Sequence, residues 1–200
     1  MKRLLTSAVA VIALAAIAGQ ALAADATGTV TVNGSVASKC TVVSGGTVGG
    51  TTFSSTFSAG ELADSVGHLA FSGSFTTVGA GDFQISCNKA NPIITLNATP
   101  MTNLATAPAG YANTISYTAY ADLKTINGSS TTGSVTRSIA SGTGAGATNG
   151  PTALGSGLYL QNTTNNVVIR ADTFATAGGA TNILVAGAYA GVITLTITPA

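Results

Sequence analysis

Charge is scarce in this chain. Seven Lys and Arg and six Asp and Glu amount to 6% of its 200 residues, so no basic stripe is available for nucleic acid. There is one histidine, His68, and there are two cysteines, too few for a Cys/His metal site. No Gly-x-Ser-x-Gly elbow and no phosphate loop with its lysine occurs, and Gly142-Thr143-Gly144-Ala145-Gly146 lacks the dinucleotide register. Glu61 and Asp64 are the only closely spaced carboxylates, and a pair on a polar turn reads as a solvated cap. Asn97-Ala98-Thr99 and Asn127-Gly128-Ser129 match the glycosylation sequon by chance composition. Neither an enzyme nor a cofactor is expected. Helix signals are almost absent too, and only Gly60-Glu61-Leu62-Ala63-Asp64 suggests a turn or two.

One long apolar run is present. Met1-Lys2-Arg3 is basic, Leu4 to Ile17 is uncharged and apolar, and Ala21-Leu22-Ala23 is a small-x-small cleavage signal. The run is short for a membrane span, so residues 1–23 read as a secretory signal peptide. Without Lys2 and Arg3 the remainder is nearly neutral. Its solubility rests on Thr, Ser, Asn and Gly, a surface with little charge repulsion against self-association.

What fills the rest is alternation. Thr27-Gly28-Thr29-Val30-Thr31-Val32-Asn33-Gly34-Ser35-Val36 places Gly28, Val30, Val32 and Gly34 on one face. Val36 to Val42 alternates with Val36, Cys40 and Val42 together. Further strands are expected in His68 to Phe75, Asp82 to Cys87, Ile93 to Ala98 and Ile115 to Ala121. Gly157 to Gln161 and Val167 to Ala171 are shorter candidates, and Tyr189 to Thr198 closes the chain. Ser44 to Thr52 and Ala140 to Gly157 read as Gly-rich loops, the second a mobile surface loop. Many short strands separated by turn signals point to one antiparallel sandwich.

In an exported chain, Cys40 and Cys87 are expected to form a disulfide. It would close a loop of about 48 residues, worth about 4 kcal/mol in the chain-entropy model. The last strand ends two residues before the C-terminus, so nothing follows to cover it. An Ig-like sandwich built this way would be one strand short, with an open apolar edge able to pair with another chain.

The alternating N-terminal segment, the Cys40…Cys87 spacing, Ile115-Ser116-Tyr117-Thr118-Ala119-Tyr120-Ala121-Asp122 and Ala186 to Pro199 together resemble the spore coat protein U domain family. That family includes subunits of archaic chaperone–usher pili. The segment 28–36 is also similar to the N-terminal extension of type-1-like fimbrial subunits. Three features depart from the pattern: Gly191 stands where Asp is usual, Val167-Val168-Ile169-Arg170 lacks a nearby Gly, and Trp is absent.

The resemblance implies an all-β, incomplete Ig-like antiparallel sandwich of pilin type, lacking its final strand. Residues 24–36 would be a donor-strand extension and 37–200 the sandwich domain. The donor face would be Gly28, Val30, Val32 and Gly34. The acceptor groove would be walled by the first and last strands, through Val36, Val42, Tyr189, Ile193, Leu195 and Ile197. The implied partners are a periplasmic chaperone, an outer-membrane usher and other copies of the subunit in a head-to-tail fibre, with no nucleic acid. The product would be an extracellular fimbrium on the cell surface, serving adhesion or biofilm formation. Two other readings stay open at this point. One is a self-capped coat or matrix protein of the same fold that tucks its own N-terminal segment into its groove and stays monomeric; on the residues alone, Val30 and Val32 also fit the domain's own first strand, running on into Cys40. A carbohydrate-binding adhesin is the third possibility.

Overall fold

The computed structural model describes residues 31–50, 59–77 and 83–200. The leader (1–23), Gly28 and Val30 lie outside the described residues. The chain divides into two units, Met1–Ser35 and Val36–Ala200. In the first, residues 31–35 are exposed and belong to no strand.

The second unit is all-β, and no helix occurs among the described residues. In chain order the strands are β1 (Cys40–Ser44), β2 (Phe75–Thr76), β3 (Gln84–Cys87), β4 (Ile93–Ala98), β5 (Met101–Thr102), β6 (Tyr111–Ala112) and β7 (Thr114–Asn127). They continue with β8 (Thr132–Ala140), β9 (Ala147–Ala153), β10 (Leu158–Leu160), β11 (Val167–Thr176), β12 (Ile183–Leu184) and β13 (Ile193–Thr198).

β7 is the spine. β8 and β5 pair with one of its edges, and β11 and β10 with the other; β2 adds to β11. Strict alternation explains its central place. Ile115, Tyr117, Ala119, Ala121 and Leu123 are buried, while Thr118, Tyr120, Asp122 and Lys124 point the other way. On the outer face Arg170 Nε donates to Asp122 at 2.5 Å, and its guanidinium lies over the Tyr120 ring at 4.4 Å.

A second layer is formed by β13–β4–β9 and by the pair β1–β3. Ile94, Leu96, Leu195 and Ile85 from this layer share one buried cluster with Leu123, Val167 and Ile169 from the β7 sheet and with Phe83. The arrangement is sandwich-like, with antiparallel pairing throughout except for the parallel pair β12–β6.

Several expectations are corrected. The first strand begins at Cys40, not Val36, because the Asn88 side chain claims the backbone before it. Asn88 Oδ1 accepts the Lys39 N–H at 2.7 Å and its Nδ2 donates to the Ala37 carbonyl at 2.8 Å. Residues 60–64 form no helical turn. They open a small hairpin instead, with Ala63 bridged to Leu69 and Ala70 N–H donating to Leu62. The loop expected over 140–157 contains β9, which pairs with β4 from Ile93 to Ala98. The terminal strand begins at Ile193, because its ladder with β4 breaks at Pro100. Gly191 lies there so close to the Thr99–Met101 backbone that a Cβ would sit 2.9 Å from the Thr99 carbonyl oxygen. Pairing resumes beyond the break at Ala190 and Thr102.

Candidate functional site

A groove of about 1000 Å³ runs beside the last strand. Its floor is the inner face of the β7 sheet, through Tyr117, Ile169, Ala171 and Phe174. One wall is the chain from Leu184 to Leu195. The other comes from the hairpin at 59–63, from Phe75 and Thr77, and from Phe83.

Three pieces of local structure position these walls. Phe71, Phe75 and Phe174 form an aromatic cluster with centroids 5.1 to 5.4 Å apart, and Tyr117 joins it at 5.7 Å from Phe174. Thr77 anchors the short β2 side: its N–H donates to the Ile169 carbonyl, and its hydroxyl accepts the Ile169 N–H at 3.0 Å. The opposite wall hangs from two tyrosines. The Tyr117 hydroxyl donates to the Thr99 and Val192 carbonyls at 2.8 and 3.2 Å. The Tyr189 hydroxyl reaches the Ala112 and Val185 carbonyls, both at 2.9 Å.

The electrostatics are those of an apolar site. Among the described residues Glu61 is the only carboxylate along the groove, and no Lys, Arg or His lines it. Burial pushes the Tyr117 phenol up to about 12 and raises that of Tyr189. Among the described residues no cluster of three or more His, Cys, Asp or Glu side chains offers a metal site.

The wall has a free edge. β13 pairs with β4 in register from Ile193–Ala98 to Thr198–Ile93, and no strand among the described residues pairs its other side. Such an edge presents a row of main-chain donors and acceptors beside apolar surface. It can therefore take an extended segment by strand addition.

Of the expected wall residues, Tyr189, Ile193 and Leu195 line the groove. Ile197 packs on the main core instead. Val42 is buried within β1 and does not line the groove. Val36 precedes β1 and is 85% exposed, because residues 37–39 are held by Asn88 and not by a ladder. Val32 is 90% exposed, and Gly34 is described in the same extended, unpaired segment. Phe75, Phe83, Met101, Tyr117 and Phe174 line the groove and were not anticipated there. Alternation gave a signal for three of them, placing Tyr117 on the side of Ala119 and Ala121, Phe83 with Ile85 and Cys87, and Phe75 with Leu69 and Phe71; Met101 and Phe174 carried none.

Cys40 and Cys87 form a disulfide. They are directly opposed in the β1–β3 ladder, so the bond staples two neighbouring strands of one sheet. Comparison of the chain with protein-family models, with curated proteins and with solved structures finds no match.

Proposed function

We propose that this chain is the structural subunit of a surface fibre, built by adding an N-terminal strand of one copy to the groove of the next. The single observation that carries this reading is the apolar groove beside the unpaired edge of β13. The exposed Val32 in an unpaired segment supplies a complementary strand face. Gly28, Val30, Val32 and Gly34 are the donor face, and Tyr189, Ile193 and Leu195 belong to the acceptor.

The physical terms favour insertion. Each main-chain hydrogen bond to the open edge contributes about 1 kcal/mol net. Each valine moved from water into the groove adds about 1.5–3 kcal/mol. The contact joins a tail to a different surface of the next copy, so it propagates as an open fibre and does not close into a dimer. In this reading the protein is an incomplete Ig-like pilin of the chaperone–usher type. A periplasmic chaperone lends the strand before assembly, an outer-membrane usher exchanges it, and the fibre stands outside the cell.

The test is a gel. Chain lacking residues 1–23 is expected to run as a ladder of non-covalent multimers in SDS without boiling, and Val32→Arg or Leu195→Arg should remove the ladder. A single monomer band at high concentration would favour the self-capped alternative. A ladder that survives both substitutions would mean the strand and groove are wrongly assigned.

A further inference from the structure

We propose that Asn33–Gly34 is a site of spontaneous deamidation, and that seating the segment in a neighbour's groove shuts the reaction off; the second half rests on the strand-addition reading. The chain holds three Asn-Gly steps: Asn33-Gly34, Asn127-Gly128 and Asn149-Gly150. In each, the glycine main-chain nitrogen can attack the asparagine Cγ. A new N–Cγ bond forms, the Cγ–Nδ2 bond breaks, and ammonia leaves with the proton released by the main-chain nitrogen. Water then opens the five-membered imide at either carbonyl, giving aspartate or isoaspartate. Glycine favours the closure because no side chain obstructs it and its backbone turns freely.

The structure separates the three steps. The Asn127 Oδ1 accepts the N–H groups of Ser129 and Thr131 at 3.0 and 2.8 Å, closing the β7–β8 hairpin. Asn149 sits inside β9 opposite Leu96, and its Nδ2 donates to the Ser138 carbonyl at 2.8 Å. Gly150 is wedged so near β4 that a Cβ would lie 2.5 Å from the Ile94 carbonyl oxygen. Asn33 has none of these restraints. It is exposed, lies in no strand, and makes no hydrogen bond among the described residues. Nothing approaches within 4 Å of the Cβ position of Gly34.

The product matters because of where it forms. No charged residue lies between Thr27 and Ala37, so an aspartate puts a lone carboxylate in the middle of the donor segment. Isoaspartate goes further, because its Cβ becomes part of the main chain. The spacing between Val32 and Gly34 then no longer matches a strand of period two. Once seated, the extended backbone of a ladder withholds the turn that ring closure needs. Unassembled subunits therefore age, and assembled ones do not.

The experiment incubates chain lacking residues 1–23 in mildly alkaline buffer, as free subunit and as fibre. Peptide mapping follows the gain of about 1 Da at each asparagine, and isoaspartyl methyltransferase labelling identifies isoaspartate. In the free subunit Asn33 is expected to convert at least about tenfold faster than Asn127 or Asn149, whose closure must first break hydrogen bonds. Equal rates at the three positions would overturn the site. In fibres the Asn33 rate should fall by about tenfold or more. Fibres whose Asn33 converts as fast as in free subunits would overturn the protection. Failure to form fibres at all would count against strand addition, while the free-subunit rates would still decide the chemical site.

Discussion

Asn166 completes the main-chain pairing of Ile85 with its side chain. Its Oδ1 accepts the Ile85 N–H at 2.9 Å, and its Nδ2 donates to the Ile85 carbonyl at 2.6 Å. The same Nδ2 donates to the Gln161 carbonyl at 2.7 Å, and the residue is fully buried. One amide thus joins β3 to the start of β11, linking the two layers next to the groove wall at Phe83.

Replacing it should be costly. Asn166→Ala leaves the Ile85 N–H and the Ile85 carbonyl unpaired in a dry interior, at about 1–3 kcal/mol for each orphan, while the Gln161 carbonyl keeps its bond from the Thr163 N–H. The expected loss is about 4 kcal/mol, read from the shift in a chemical denaturation curve. Asn166→Asp should do no better, because a carboxylate cannot donate to either carbonyl. A loss under about 1 kcal/mol would show that water takes over the pairing.

Stability should fall at alkaline pH through Tyr117. Burial raises its phenol to about 12 in the folded chain, above the ordinary value of about 10 in the unfolded one. Its contribution is therefore intact below about pH 10 and is lost as pH rises toward 12, because the unfolded chain gives up its proton first. The loss approaches 2–3 kcal/mol, about 1.4 per unit. Tyr117→Phe should cost about 1 kcal/mol at neutral pH, from the lost bonds to Thr99 and Val192, and should flatten the alkaline slope. Denaturation midpoints measured across that range check both. Identical slopes for the two proteins would contradict the assignment, even though Tyr189 is raised as well.

Gly150 should not accept a side chain. Its φ is +116°, and a Cβ would stand 2.5 Å from the Ile94 carbonyl oxygen. Gly150→Ala is expected to lower stability by about 2–3 kcal/mol, through strain and displacement of β9 from β4. Gly128→Ala is the control: nothing lies within 4 Å of that position, and the change should stay within about 0.5 kcal/mol. Thermal unfolding of the two variants separates them.

The disulfide should matter through the unfolded chain. Cys40 and Cys87 are 47 residues apart, so removing the bond releases loop entropy worth about 4 kcal/mol. The double variant Cys40→Ala, Cys87→Ala should unfold at lower denaturant, and reductant should bring the parent chain close to it. An unchanged midpoint under reductant would show that the β1–β3 ladder holds without the bond.

Much of the central structure was legible in the chain. The alternation of Ile115 to Ala121 marks the middle of β7, Ile93 to Ala98 coincides with β4, and Phe83, Ile85 and Cys87 are buried as their parity demands. β8 and β9 were not legible. Thr132–Ala140 shows only half-buried Val135, Arg137 and Ile139, and Ala147–Ala153 has no apolar alternation at all. These strands exist because β7 and β4 offer edges to pair with, a reason that lies in other parts of the chain.

The groove divides the same way. Tyr189, Ile193 and Leu195 could be read from the terminal alternation, whereas Phe75, Phe83 and Phe174 come together from distant segments. Period-two patterning is local: each residue's side of a strand follows from its neighbours, so the sequence alone determined an all-β chain, its inward faces and its cysteine pair. Which strands meet, where the β4–β13 ladder breaks at Gly191 and which apolar faces stay uncovered depend on register and backbone clearance between remote segments. The tertiary structure alone decided those, because no short stretch of chain carries that information.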